Sequence, residues 1–205
     1  MGGGQARSGQ GEIISANAYL GCEPIVQALA GGAHVVLTGR VADPALFLAP
    51  LVHEFGWSME DWPLLGRGTV IGHLLECAGQ LTGGYFADPG INDVPDLARL
   101  GFPIAEVLPD GTAQFSKIAG SGGLISVPGC KEQLLYELHD PERYLTPDVT
   151  ADFSRVQFAQ AARDAVRCSG GSGTRKPAEL KVSVGIDEGF MGEGQISYAG
   201  PGAVA

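Results

Sequence analysis

The chain has 205 residues, of which 44% are hydrophobic. That length and composition allow a core of its own, so disorder throughout the chain is excluded. The formal net charge of −10 is spread along the sequence and argues against nucleic acid or an anionic membrane as a partner. The expected partners are therefore a small-molecule substrate and another protein subunit.

Neither the apolar segments nor the cysteines indicate a membrane or secreted protein. No stretch approaches the roughly 20 apolar residues of a membrane span, and the first residues lack the apolar segment of a secretory signal. The four cysteines, Cys22, Cys77, Cys130 and Cys168, lie far apart and form no C-x-x-C motif. We therefore predict a cytoplasmic protein with reduced cysteines and no metal.

The first half of the chain has the pattern of an α/β fold. Residues 1–11, which are mostly Gly, Gln, Ser and Arg without apolar spacing, predict a flexible lead. IISANAY at 13–19 predicts a strand, EPIVQALA at 23–30 a helix closed by a Gly-Gly pair, and HVVLTG at 34–39 a second strand. Together they predict a parallel β-α-β core.

Two further helices are predicted after this unit. Asp43 is predicted to cap the next helix, with Pro44 in its first turn, and PALFLAPLVHEF at 44–55 continues with helical spacing until Gly56. GTVIGHLLECAGQLTGG at 68–84 repeats apolar residues every three to four positions and ends in two glycines. The α/β part therefore extends over residues 12–101.

The second half, residues 102–205, predicts a β-rich α+β part that packs as one unit with the first. IAEVLPDGTAQFSKI contains two alternating runs around Pro-Asp-Gly, the signature of a hairpin. CKEQLLYELHD predicts an amphipathic helix and GGSGTRKP a polar loop. Further strands are predicted at GLISV (123–127), SRVQFAQ (154–160), DAVRCS (164–169) and LKVSVGI (180–186).

The first candidate site lies at the ends of the two predicted parallel strands, where α/β proteins bind ligands. In this position Arg40 can hold a carboxylate or phosphate through a bidentate contact. The alternative is an Arg40–Asp43 salt bridge that only braces the loop. The predicted substrate-binding residues of this group are Asn17, Tyr19, Thr38, Gly39, Arg40 and Asp43.

The second candidate site is on the predicted helix at 68–84. His73, Glu76, Cys77 and Gln80 are three or four residues apart and share a helix face, which predicts a catalytic group of His73, Glu76 and Cys77 with Gln80 binding substrate. The alternative is a core histidine whose ring is hydrogen-bonded by Glu76. The spacing matches no zinc motif.

Two glycine-rich loops complete the candidate residues. TGGYFADPG contains Gly83 and Gly84, and AGSGGL contains Ser121 and Gly122. Neither loop matches a dinucleotide or P-loop motif. We predict that the backbone amides of these loops bind a substrate oxyanion or phosphate. The alternative is that both loops are ordinary turns.

Several segments together resemble the acyclic terpene utilisation family, AtuA. They are ANAYLG (16–21), TGRVADPALFLAPLVHEFGW (38–57), GHLLECAGQLTGGYFADPG (72–90), DVPDLARLGFPIAEV (93–107), KEQLLYELHDPERYLTPDVTADFS (131–154) and GEGQISYAGPGA (192–203). Family members are generally longer at both ends, so the resemblance implies that this chain is a segment of a longer protein.

The resemblance implies a role in the breakdown of citronellol- and geraniol-type isoprenoids, whose intermediates are branched acyl-coenzyme A esters. It implies no particular reaction. We expect an enzyme that acts on a branched acyl-coenzyme A or acidic intermediate by hydration, lyase or hydrolysis chemistry, with no resident cofactor. The alternative is a non-catalytic subunit or scaffold that forms a homo-oligomer or joins a partner.

Overall fold

The computed structural model describes residues 11–190, 192–194, 196–197 and 199. The predicted flexible lead, apart from its last residue, lies outside the described residues. The final segment of the family resemblance, at 192–203, lies partly outside them. The predicted division at residues 101 and 102 stays a prediction.

Four α-helices and nine strands make up the described fold, with two short 3-10 turns at Ala78–Gln80 and Leu97–Arg99. The helices are α1 (Glu23–Ala30), α2 (Ala45–Phe55), α3 (Trp62–Glu76) and α4 (Val127–Leu135). The strands are β1 (Glu12–Ala18), β2 (Pro103–Val107), β3 (Ala113–Lys117), β4 (Tyr144–Leu145), β5 (Thr150–Asp152), β6 (Gln157–Ala162), β7 (Ala165–Ser169), β8 (Ser172–Thr174) and β9 (Val182–Asp187).

The strands form three antiparallel sheets, so the fold is mixed α and β as predicted. Their orders are β1-β9, β2-β3-β7-β6 and β4-β5-β8. No helix in the described part of the chain is long and apolar enough to cross a membrane.

The predicted parallel β-α-β core is wrong. Strand β1 pairs antiparallel with β9, which lies more than 160 residues later in the chain. The segment 34–39 is not a strand, and Val35 and Leu37 in it are 80% and 95% exposed. A single parallel bridge between Leu20 and Val41 remains of the expected pairing. No strand in the described part of the chain pairs with this apolar run to satisfy its backbone groups, so β propensity alone does not make it a strand.

The hairpin and several later strands are confirmed. Strands β2 and β3 pair around Gly111, which adopts the positive φ of +76° that the turn needs. Strands β6, β7 and β9 match the predicted segments. GLISV is not a strand, because Ser126 caps helix α4 by accepting a hydrogen bond from the Gly129 N–H at 3.2 Å. The predicted polar loop after β7 contains strand β8.

Helix α2 is confirmed, but its predicted cap is wrong. The N-cap is Pro44, without a side-chain hydrogen bond, and Asp43 lies one residue before it. Gly56, with φ of +62°, ends the helix as predicted.

Helix α3 begins six residues earlier than predicted, because Asp61 accepts a hydrogen bond from the Leu64 N–H at 3.1 Å and caps its start. It ends at Glu76. Cys77 and Gln80 therefore lie in the turn after the helix and not on its face.

Glycines let α3 pass through the centre of the core at close range. A Cβ on Gly66 would lie 2.0 Å from the Ser172 carbonyl oxygen, so β8 contacts the helix backbone directly. A Cβ on Gly72 would lie 2.6 Å from the Pro44 carbonyl oxygen. This second approach brings the start of α2, with Asp43, against the last turn of α3.

Candidate active site

A cleft of about 330 Å³ opens where the start of α2, the end of α3 and the turn after α4 meet. Leu46 and Phe47 give it an apolar wall, and three carboxylates give it a strongly acidic one. Its lining residues are Asp43, Leu46, Phe47, Glu76, Cys77, Tyr136 and Glu137. The cleft can therefore hold a partly apolar small molecule with a polar end.

His73 lies behind this cleft, on α3, with no exposed surface. Its Nδ1 is 3.1 Å from Glu76 Oε1, and its Nε2 is 3.2 Å from the carbonyl oxygen of Leu134. A carbonyl oxygen only accepts, so Nε2 carries a hydrogen. The contact between Nδ1 and Oε1 needs one more proton, which resides either on the ring or on the carboxyl group.

Aromatic packing fixes the orientation of the His73 ring. The ring centroid lies 5.4 Å from that of Tyr144 and 5.4 Å from that of Phe153. Tyr144 and Phe153 also contact each other, with centroids 5.0 Å apart. Burial raises the pKa of the Tyr144 hydroxyl, so it remains protonated near neutral pH. These rings pack against the imidazole of the residue that hydrogen-bonds Glu76.

Glu76 is the member of this pair that lines the cleft. Its side chain is 10% exposed, and Oε2 is buried without a hydrogen-bond partner among the described residues. Burial raises the pKa of the Glu76 carboxyl group, and the nearby charges of Asp43 and Glu137 add to this, whereas the hydrogen bond from His73 opposes it. The Glu76 carboxyl group therefore keeps its proton to a higher pH than an ordinary glutamate does.

The other two residues predicted on this face differ in environment. Burial raises the pKa of the Cys77 thiol, which lines the cleft and is protonated near neutral pH. Gln80 lies beside Tyr136, and its Oε1 is buried without a partner among the described residues. It is not one of the lining residues.

The structure brings Tyr19 and Arg40 of the other predicted group together. Arg40 Nη2 donates a hydrogen bond to the Tyr19 hydroxyl, and the guanidinium carbon lies 4.6 Å from the ring centroid. Asn17, Thr38 and Gly39 are exposed nearby in the chain, but none of them lines the cleft.

Asp43 separates from that group and lines the cleft beside Glu76. Within residues 11–190 it forms no ion pair with Arg40, so the bracing salt bridge is not formed.

Polar groups of the glycine-rich loop at Ser121 and Gly122 form hydrogen bonds to backbone carbonyl oxygens of the protein. The Ser121 hydroxyl donates to the Ile118 carbonyl oxygen at 2.7 Å, and the Gly122 N–H donates to the Arg99 carbonyl oxygen at 2.8 Å. A Cβ on Gly83 or Gly84 would lie within 3.0 Å of a neighbouring atom. These geometries fit the alternative of ordinary tight turns.

Sequence reasoning missed four residues that line the cleft, Leu46, Phe47, Tyr136 and Glu137. The last two were predicted to continue helix α4, but the chain leaves the helix at Tyr136 with ψ of 126°, and Glu137 has φ of +55°. A non-glycine residue with positive φ is uncommon, and nothing in the local sequence indicated it.

All four cysteines are free. In the described part of the chain, no group of three or more His, Cys, Asp or Glu side chains is placed to hold a metal ion.

Comparisons with known proteins give one finding. The model of a family described as "Acyclic terpene utilisation family protein AtuA" matches residues 2–205. Searches of curated proteins and of solved structures returned no match.

Proposed function

The chain belongs to the acyclic terpene utilisation family AtuA, and on that basis we propose that its cleft transfers a proton to and from a branched acyl intermediate of isoprenoid breakdown. Hydration or lyase chemistry is the reaction class that we favour. The observation that carries the proposal is the His73–Glu76 pair, a buried imidazole hydrogen-bonded to a carboxyl group that lines a partly apolar cleft.

We assign different roles to His73 and Glu76. Both ring nitrogens of His73 are engaged and the ring is fully buried, so it does not contact the substrate. His73 is a positioning residue that holds the carboxyl group and exchanges a proton with it. Glu76 is the group that gives the proton to the substrate or takes it away.

The environment of Glu76 suits general acid–base catalysis. A catalytic group works best when its pKa is close to the working pH, because it then takes up and releases a proton readily. Burial raises the pKa of Glu76 in that direction. Elevated pKa values combined with a cleft are typical of functional sites.

The protonation state of the Cys77 thiol distinguishes covalent hydrolysis from proton transfer. The thiolate, not the thiol, is the nucleophile in covalent cysteine catalysis. Burial raises the pKa of Cys77, and the described residues that line the cleft include no cation to lower it. Hydrolysis through a Cys77 acyl intermediate is therefore less favoured than proton transfer by Glu76.

The lining of the cleft supports a substrate with a branched apolar part. Leu46 and Phe47 give the cleft apolar lining, and burial of methyl groups against them contributes about 0.8 kcal/mol per methylene equivalent. A coenzyme A ester is the activated form that the family resemblance suggests.

The direct test compares Glu76→Gln with the wild-type protein on a panel of branched acyl-coenzyme A esters, in a mass-spectrometric assay for addition or loss of water. We expect Glu76→Gln to lose about 100-fold or more in rate, as removal of a general acid–base does. Glu54→Gln is the matched control, because Glu54 is an exposed carboxylate on α2 outside the cleft. Equal rates for the wild type and Glu76→Gln would contradict the proposal.

A second candidate function, a non-catalytic subunit, is favoured by the ribbon of β1 and β9. A two-stranded ribbon is marginal alone, and this one exposes apolar side chains on both strands. They are Ile13 at 64%, Ile14 at 68%, Val182 at 51% and Val184 at 48% exposed. Light scattering that gives an oligomeric mass, lowered to a monomer by Ile14→Ser, supports this candidate, and a monomeric wild type contradicts it.

A further inference from the structure

A second cluster of polar side chains lies outside the cleft, around the ring of Tyr19. Arg40 donates to the Tyr19 hydroxyl, and Lys181 Nζ lies 5.1 Å from the ring centroid. The Ser183 hydroxyl donates to the same phenol oxygen at 3.5 Å. Pairing of β1 with β9 produces this arrangement, because it brings residues 181–183 alongside residues 17–19.

Two cations, Arg40 and Lys181, lie over the same ring here. No Asp or Glu within residues 11–190 forms an ion pair with Arg40 or Lys181. Each cation is attracted by the ring face, but the two positive charges repel each other. In a chain with a net charge of −10, such a local excess of positive charge stands out.

The cluster also has hydrogen-bond donors to spare. A guanidinium has five N–H groups and one of them is used on Tyr19, so a fork of donors remains for an anion. The Tyr19 hydroxyl accepts from Arg40 and Ser183 and keeps its own hydrogen to donate. The hydrogen bonds from Ser183 and Arg40 lower the pKa of this phenol, which strengthens it as a donor.

We propose that Tyr19, Arg40, Lys181 and Ser183 form a binding site for a phosphate-type oxyanion. An anion with several oxygens satisfies the guanidinium fork, the ammonium and the phenol donor together, and it removes the repulsion between the two cations. A monocarboxylate has two oxygens and one charge, so it satisfies fewer of these groups.

A short stretch of chain connects the cluster to the cleft. Arg40 precedes Asp43 by three residues, so their Cα atoms are at most about 11 Å apart. None of the four cluster residues lines the cleft. The anion site is thus suited to hold the phosphate-bearing end of a ligand whose apolar end enters the cleft, and its anion affinity does not depend on proton transfer by Glu76.

The test is titration calorimetry of the whole chain with inorganic pyrophosphate, inorganic phosphate and acetate at constant low ionic strength. We expect saturable binding that is strongest for pyrophosphate and weakest for acetate. Arg40→Gln and Lys181→Gln should each weaken pyrophosphate binding about tenfold, since one charge-assisted hydrogen bond contributes about that factor. Tyr19→Phe, which keeps the ring, should weaken it by a smaller factor.

The matched control is Arg163→Gln, because Arg163 is a 92% exposed cation outside the cluster. It should leave pyrophosphate affinity unchanged. If Arg163→Gln lost as much pyrophosphate affinity as Arg40→Gln, the effect would come from the overall charge of the protein, and the proposed site would be wrong. Absence of saturable pyrophosphate binding to the wild type would overturn it as well. Thermal melts of each variant check that the fold is kept.

Discussion

The carboxylate of Asp148 accepts the backbone N–H of Cys22, with oxygen distances of 2.9 and 3.0 Å. Cys22 is the N-cap residue of α1, and Asp148 is only 3% exposed in the turn between β4 and β5. A Cβ on Gly21 would lie 2.2 Å from Asp148 Oδ1, so glycine is required for this approach. A side chain 126 residues away therefore holds the start of α1.

We expect Asp148→Ala to lower the free energy of unfolding by about 1–3 kcal/mol, because it leaves the buried Cys22 N–H without an acceptor. Asp148→Asn keeps an amide oxygen in place and should cost about 1 kcal/mol or less. Denaturant unfolding followed by circular dichroism measures both. Equal destabilisation by the two variants would show that the accepted hydrogen bond is not what matters.

The same carboxyl group predicts a pH dependence of stability. Burial raises the pKa of Asp148 in the folded protein, although the Cys22 N–H opposes this. The folded state thus binds a proton that the unfolded state has released, and stability falls as pH rises from the ordinary aspartate value through the elevated one. Unfolding free energies measured at a series of pH values should show Asp148→Asn gaining on the wild type with rising pH. A difference that stays constant would contradict this.

Because α3 closely contacts the start of α2 at Gly72, we expect a larger residue at this position to disrupt their packing. A Cβ on Gly72 would lie 2.6 Å from the Pro44 carbonyl oxygen, so Gly72→Ala must push α2 away from α3. We expect a loss of about 1–3 kcal/mol in stability and weaker binding of any cleft ligand. Gly31→Ala is the control, since its Cβ would meet nothing closer than 3.4 Å. Thermal melts without ligand measure the loss of stability, and the shift in melting temperature on adding a branched acyl-coenzyme A ester measures binding in the cleft.

The cysteines predict an order of chemical reactivity. Cys77 is partly exposed, whereas Cys22, Cys130 and Cys168 are buried. Burial raises the pKa of Cys130 to about 12 and that of Cys168 to about 12. Iodoacetamide should therefore label the folded protein at Cys77 alone, slowly at pH 7 and faster as pH rises. Peptide mapping by mass spectrometry checks this, and Cys77→Ser should abolish native labelling.

Part of the fold was predictable because its causes are local. Helix α2 with its terminal Gly56 and the hairpin around Gly111 follow from residues only a few positions apart. The spacing of His73 and Glu76 predicted their contact for the same reason, since residues three apart on a helix are neighbours.

The sequence by itself determined the mixed α and β composition, the family and the pairing of His73 with Glu76. Only the tertiary structure decided that β1 pairs with β9, that Lys181 and Ser183 join Tyr19, and that Tyr136 and Glu137 close the cleft. Hydrophobic periodicity and helix caps reflect interactions between residues three or four positions apart. Partners more than 100 residues apart are selected by core packing and by the need to satisfy buried backbone groups, and neither leaves a local pattern.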